Sequence, residues 1–240
     1  MSLNTKSFRN TSLQWASITD GDQTNLGFTG DFTFETWIKF NSLFATSNYA
    51  GITGKQGSSK AWQIFMYKDG STTKIRVGHS DGIIAESEFR ITWAAATDTW
   101  YHLAVVFDTG NTISRVYIDG SQIGTGTIGT ETRTSIDDIR FGNFATNFSS
   151  TYLMDGWLDE TIYWSDVRTS TEIGESYNSG DGKIYAGNEA GMVGYWRYED
   201  DLLDETSNDN DLTNNGSGTF STDIPFVGGG SVNSNFLQFF

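Results

Sequence analysis

Apolar and polar positions along this 240-residue chain alternate with a period near two over many short stretches. In 32–40, Phe32, Phe34, Ile38 and Phe40 fall on one face of an extended strand and Trp37 on the other, so both faces are expected to be covered. Comparable runs occupy 12–19, 62–68, 74–79, 100–108, 113–119, 138–144, 157–164 and 193–199. Each is bounded by clusters of Gly, Asn, Asp or Ser that interrupt regular structure. The clearest stretch is 99–126, TWYHLAVVFDTGNTISRVYIDGSQIGTG. It predicts two strands, a turn at Asp119 and Gly120, and a third strand. A type I′ turn needs positive φ at both central residues, and Asp-Gly supplies it. One segment, 170–178, has helical character. Thr169 and Glu172 have the spacing of a capping box, and Gly180 offers a left-handed exit.

Composition extends this picture to an all-β chain. The sequence has 27 Gly and 15% aromatic residues, with few strong helix formers. No composition shift or internal repeat divides it, so 1–217 reads as one domain. The segment 218–240 differs: it carries the single proline, Pro225, then Gly228–Gly230, then Phe236, Leu237, Phe239 and Phe240. Leaving those four side chains in water is costly. They are therefore expected to dock on this domain or on a neighbouring subunit and to contribute to assembly.

The formal net charge of −15 repels phosphate backbones and anionic lipid, which argues against nucleic acid and membrane surfaces as partners. The absence of cysteine excludes disulfides, thiolate metal sites and thiol nucleophiles. No apolar run is long enough to cross a bilayer, and MSLNTKSFRN lacks the apolar core of a signal peptide.

Four segments, in order, resemble the laminin G-like, or concanavalin A-like, jelly-roll superfamily. Asp31–Lys39, DFTFETWIK, is similar to the family's early strand FTIEAWVK. WYHLAVVFD at 100–108 with VYIDG at 116–120 resembles WYHVAVTYDG and LYVDG. DGWLDE at 155–160, followed by Ile162, Tyr163 and Trp164, is similar to FDGYIDEVRIW. MVGYWRY at 192–198 with DETSN at 204–208 resembles LVGYWRFDE and the acidic loop after it. The resemblance covers about residues 12 to 216. It implies a two-sheet antiparallel jelly-roll sandwich with its first and last strands paired.

The chemistry the chain carries points away from catalysis. Hydrolases of this fold place two carboxylates on one strand as Glu-x-Asp-x-(x)-Glu, and retaining glycoside hydrolysis needs them about 5 Å apart. No such word occurs. Asp159 and Glu160 are adjacent, which on a regular strand sends them to opposite faces. Glu86 and Glu88 share a face, but within a loop-like stretch. Only His79 and His102 are present, and neither belongs to a recognisable triad; His102 reads as structural.

Calcium is the candidate cofactor. By the resemblance, Asp159 corresponds to an aspartate that orders the N-terminal loop, and Asp20 and Asp22 could add hard oxygens beside it. The acidic loop 200–211 lacks EF-hand spacing and reads as solvated. The resemblance also implies carbohydrate binding, for which loops supply aromatic rings and amides. The candidates are Phe44, Asn48, Tyr49, Trp62, Asn143, Phe144, Asn147, Phe148 and Tyr152. The expected protein is a non-enzymatic recognition module. It would face a glycan or glycoprotein outside a cell or on a virion, with a structural calcium ion. The alternative is a surface-decoration or fibre protein that self-associates through its aromatic tail.

Overall fold

The computed structural model describes residues 3–11, 14–44, 49–57, 60–80, 87–130, 134–144 and 152–227. Its strands are β1 (Ser7–Asn10), β2 (Trp15–Ile18), β3 (Phe32–Ser42), β4 (Tyr49–Gln56), β5 (Lys60–Asp69), β6 (Thr72–His79), β7 (Ser87–Thr92), β8 (Trp100–Asp108), β9 (Ile113–Ile118), β10 (Ser121–Thr127), β11 (Ile139–Phe141), β12 (Asp155–Trp164), β13 (Met192–Trp196), β14 (Thr213–Asn215) and β15 (Thr219–Ser221). They form two antiparallel sheets. The front sheet has the order β10-β9-β8-β3-β12-β1-β15, with β13 also paired to β12. The back sheet has the order β14-β2-β11-β4-β5-β6-β7. The first and last described strands pair, with Ser7 opposite Ser221.

The alternation in β3 positions the core. Phe32, Phe34, Ile38 and Phe40 point between the sheets with Ile64, Met66 and Val105. Phe32 stacks on Phe28 at 4.4 Å and on Phe107 at 4.2 Å, which adds to area burial. Trp37 faces outward and is nevertheless buried, because Phe226 and Tyr177 cover it. That cover includes α1 (Ser170–Tyr177), whose capping box forms as expected: Thr169 accepts from the Glu172 backbone and Glu172 accepts from that of Thr169. The left-handed exit is Asn178, φ 48°, two residues before Gly180. Its side-chain amide donates to the Gly182 carbonyl at 2.9 Å, and such local bonding lets Asn take that conformation. The turn between β9 and β10 has φ of 51° at Asp119 and 72° at Gly120, as the hairpin pattern requires.

Several elements differ from the sequence pattern. Within the run 12–19, the described residues form β2 over Trp15–Ile18. The run 138–144 ends as a strand at Phe141, because Gly142 has φ of 76°, and Phe144 then packs on the outside of the sheet against Phe65. The run 193–199 ends at Trp196, before Tyr198 at φ 61°. Of the loop-like stretch around Glu88, the described residues from Ser87 onward belong to β7, held by β6. The acidic loop after β13 is partly interior: Asp204, Thr206 and Asn210 are buried. Asp204 accepts from the backbone of Tyr195, Thr206 and Asn210, and Asn210 ties Thr24 to Val193.

Candidate functional site

The outer face of the back sheet is organised in rows set by strand register. One row runs Tyr49, Tyr67, Lys74, Thr92. The next runs Gly51, Phe65, Arg76, Arg90, and the third Gly54, Gln63, Gly78, Glu88. The glycines of β4 are the structural key. A Cβ at Gly51 would lie 2.5 Å from the Tyr152 carbonyl oxygen, and one at Gly54 2.7 Å from that of Phe144. Bare backbone at these positions lets the segments on either side of 145–151 lie directly on the sheet. Hydrogen bonds fix them there, from Gly51 N to Tyr152 O and from Gly142 N to Ile52 O, both 2.8 Å.

This arrangement brings Phe144 and Tyr152 onto the sheet. Phe144 stacks on Phe65 at 4.3 Å and on Tyr152 at 4.7 Å, while Tyr49 meets Tyr152 edge-on at 5.1 Å. A groove of about 290 Å³ opens beside them, lined by Tyr49, Gln56, Lys60, Gln63, Phe65, Arg76, Phe144 and Tyr152. Gln56 is only 7% exposed, and its Oε1 has no hydrogen-bond partner. A buried amide oxygen left this way is an acceptor awaiting a donor. Arg76 lies over the Phe65 ring, 5.1 Å from its centroid, and pairs with Glu88, which also holds Arg90 at 2.6 Å.

Of the nine residues proposed for a ligand, Tyr49, Phe144 and Tyr152 therefore meet at one place. Trp62 does not join them. It is 1% exposed and points into the core against Phe32 and Tyr163, because Gln63 and Phe65 take the outward positions of β5. Asn143 is buried and its side-chain oxygen accepts from the Phe144 backbone at 2.7 Å; its role is to shape the loop. Phe44 packs against the main core. Asn48, Asn147 and Phe148 lie outside the described residues, as do Glu86 and the tail residues Phe236, Leu237, Phe239 and Phe240. Up to Val227 the chain end lies on its own domain: Val227 O accepts from Asn4 N, and Asp223 accepts from Trp100 Nε1 at 3.0 Å. The groove residues that the sequence reading missed, Gln56, Lys60, Gln63 and Arg76, carry a weak signal in the outward alternation of Gln63, Phe65 and Tyr67.

Asp159 and Glu160 depart from strand alternation. A bulge shifts the β12–β3 register between Asp159 and Ile162, Glu160 takes φ of 43°, and both carboxyls are buried. Asp159 accepts from Asn4 Nδ2 and from the Glu160 backbone, each at 2.9 Å. Glu160 accepts from the Tyr195 hydroxyl and from Arg197 Nε at 3.3 Å. Burial pushes Asp159 well above the usual carboxylate range, and Glu160 adds to that push. Burial raises Glu160 to about 7 against the opposing pull of Arg197. Asp159 thus ties down the segment before β1 at Asn4, and Glu160 holds Tyr195 of β13 and Arg197; neither lies at the groove.

Nor do the calcium candidates converge. Asp20 is held by Lys55 Nζ at 3.0 Å and Asp22 by the Thr19 hydroxyl at 2.6 Å, whereas Asp159 is 0% exposed. Among the described residues no group of three or more Asp, Glu, His or Cys side chains is placed to hold a metal ion. Hard-cation sites take six to eight oxygens, and among the described residues Asp20, Asp22 and Asp159 do not form one side-chain group of that kind. His102 is buried beside Glu35, its Nε2 3.2 Å from Glu35 Oε2, beneath the helical cover and away from the groove.

Known proteins share this fold. The sequence model of the concanavalin A-like lectin/glucanases superfamily matches residues 10–174. No curated protein sequence gives a match. Among solved structures, a Bacteroides ovatus protein named as a candidate carbohydrate-binding protein superposes with a TM-score of 0.71 at 16% identity. The alignment covers 95% of this chain and 62% of that one, so this chain spans less than two thirds of the neighbour's length. A heptameric pentraxin of the serum-amyloid-P type from Limulus polyphemus superposes at 0.60 with 17% identity, covering 88% of this chain and 93% of that one. At these identities the likeness establishes the shared fold.

Proposed function

The chain belongs to the concanavalin A-like lectin/glucanase superfamily, and from that premise we propose that it is a non-catalytic carbohydrate-binding module whose ligand lies in the groove over Gln63 and Phe65. The observation that carries this reading is the joining of Tyr49 and Tyr152 with the unpartnered amide oxygen of Gln56 on a rigid sheet. Sugars present apolar C–H faces and closely spaced hydroxyls. Aromatic rings suit the first and planar amides the second. A groove of about 290 Å³ is close to the lower end of ligand sites, ~300 Å³, and fits a short stretch of a glycan lying along the sheet.

The same lining argues for binding without turnover. Its described residues include two amides and no carboxyl, whereas glycoside hydrolysis needs an acid and a second carboxylate across the bond. Such a module works where glycans are displayed, on or outside a cell or virion. A printed glycan array probed with the full chain tests the proposal. Binding is expected, and Tyr152→Ala should weaken it by roughly tenfold, equivalent to ~1.4 kcal/mol. A chain that binds no glycan at high protein concentration would overturn the reading.

A further inference from the structure

We infer that the module has a second saccharide site, on the outer face of the front sheet, built for a neutral, polyhydroxylated unit; the choice of a saccharide rests on the glycan-binding reading above. A cavity of about 450 Å³ opens there between β9, β10 and the segment that enters α1. That volume lies within the range of small-molecule sites, ~300–1,000 Å³. Strand register assembles one wall. Tyr117 lies opposite Gln122 across β9 and β10, with Arg115 one row further along. Val116 and Ile118 take the inward positions of β9, so alternation turns Arg115 and Tyr117 outward. Val167 and Arg168, on the way into α1, close the other side.

The floor of this cavity carries a polar group without a partner. Tyr117 is 4% exposed and packs with Ala104, Val106 and Ile173 of α1, yet its hydroxyl makes no hydrogen bond among the described residues. Leaving a buried hydroxyl unpaired is costly, and a ligand oxygen would relieve that cost. Burial pushes this hydroxyl above its usual range against the pull of Arg115, so it stays a neutral O–H able to donate. The two guanidiniums are fixed and neutralised. Arg115 Nη1 lies 2.9 Å from Asp108 Oδ2, a carboxylate that Asn111 also holds. Arg168 rests on the Trp164 ring at 4.0 Å with its Nη1 3.0 Å from Glu172, while its Nε is buried without a partner. A guanidinium has more N–H donors than one ion pair occupies. Because each of these cations has its own carboxylate, the cavity offers an anion no surplus of charge. Oriented forks, the Gln122 amide and the Tyr117 hydroxyl instead suit closely spaced hydroxyls, which both accept and donate. With the groove on the back sheet and this cavity on the front sheet, one chain can bridge two glycan strands.

Amide chemical-shift titration of the full chain with cellobiose, maltose, lactose and N,N′-diacetylchitobiose tests this, with glucuronic acid as the charged comparison. At least one neutral disaccharide should shift Gln122, Val167 and Thr169 in a saturable way, and glucuronate should bind there no more tightly. Tyr117→Phe removes only the hydroxyl and should weaken binding at this face roughly fivefold, the worth of one hydrogen bond. Gln122→Ala, at an exposed position of β10, should weaken it similarly and keeps the test valid if the buried substitution disturbs packing. Neither variant should change the response of Gly51 or Phe65. Shifts confined to the groove, shifts at neither face, or shifts around Gln122 that neither variant weakens overturn the second site, and the glycan array then judges the groove separately. Tighter binding of glucuronate than of every neutral sugar overturns the neutral assignment.

Discussion

Alanine at Gly51 would strike the contact on which the groove is built. The added Cβ would lie 2.5 Å from the Tyr152 carbonyl oxygen and 2.9 Å from both Asn143 Cα and Phe144 Cδ1. Two of these atoms are backbone and cannot rotate aside, so the loop must lift from the sheet. Overpacking of this kind costs ~1–3 kcal/mol. Weakening the 2.8 Å bond from Gly51 N to Tyr152 O adds ~1 kcal/mol. At roughly 2–4 °C per kcal/mol for a chain of this size, Tm should fall by about 5–10 °C. Gly51 has no positive φ, so the whole effect is steric. Lifting the loop also separates Tyr152 from Tyr49, and glycan affinity should fall with Tm. Thermal unfolding followed by circular dichroism, with a binding titration on the same samples, measures both. Gly27→Ala, where an added Cβ meets nothing within 4 Å, serves as the reference. A Gly51→Ala protein with unchanged Tm and unchanged affinity would refute the argument that bare backbone seats this loop.

Other consequences are equally direct. Glu160 is raised from 4.5 to about 7 in the folded protein, so its contribution to stability is complete below pH 4.5 and lost as pH rises through 7, and Asp159 shifts in the same direction. Stability should fall by up to about 3 kcal/mol between mildly acidic and mildly basic pH, and Glu160→Gln should flatten that dependence in denaturant titrations; a wild-type stability that rises over this window would contradict it. Gly174 sits within α1 with open space where a Cβ would go, so Gly174→Ala should stabilise by ~0.5–1 kcal/mol, and a lowered Tm would show that the helix packs differently. Because Asp20, Asp22 and Asp159 are each held elsewhere, Tm should be the same in excess calcium and in chelator; an increase of several degrees with the ion, the signature of ligand linkage, would show that the acids rearrange into a site.

The parts of this molecule that are legible in the sequence are those set by local chemistry. Alternation in β3, the Asp119–Gly120 turn and the Thr169–Glu172 capping box depend on neighbours in the chain, and each forms as its residues imply. The register between strands is not local, and the groove depends on it. Gln63 and Arg76 come near Tyr152 only because β4, β5 and β6 pair in particular rows. β4 itself is concealed by Gly51 and Gly54, residues that usually signal turns and that here make room for a crossing loop. Trp62 shows the same limit from the other side: its type suits a sugar platform, but its place in the alternation of β5 assigns it to the core. The bulge at Asp159 and Glu160 likewise depends on tertiary contacts, since the side chains that bond the two carboxyls lie in distant segments, at Asn4, Tyr195 and Arg197.

The central claim is the location of the ligand, and amide chemical-shift mapping during titration with the strongest array binder tests it most directly. The account predicts that the largest shifts fall on Gly51, Gln56, Gln63, Phe65 and Arg76, which line or floor the groove on the back sheet. Shifts confined instead to the opposite face of the sandwich, around Tyr117, Val167 and Thr169, would contradict it.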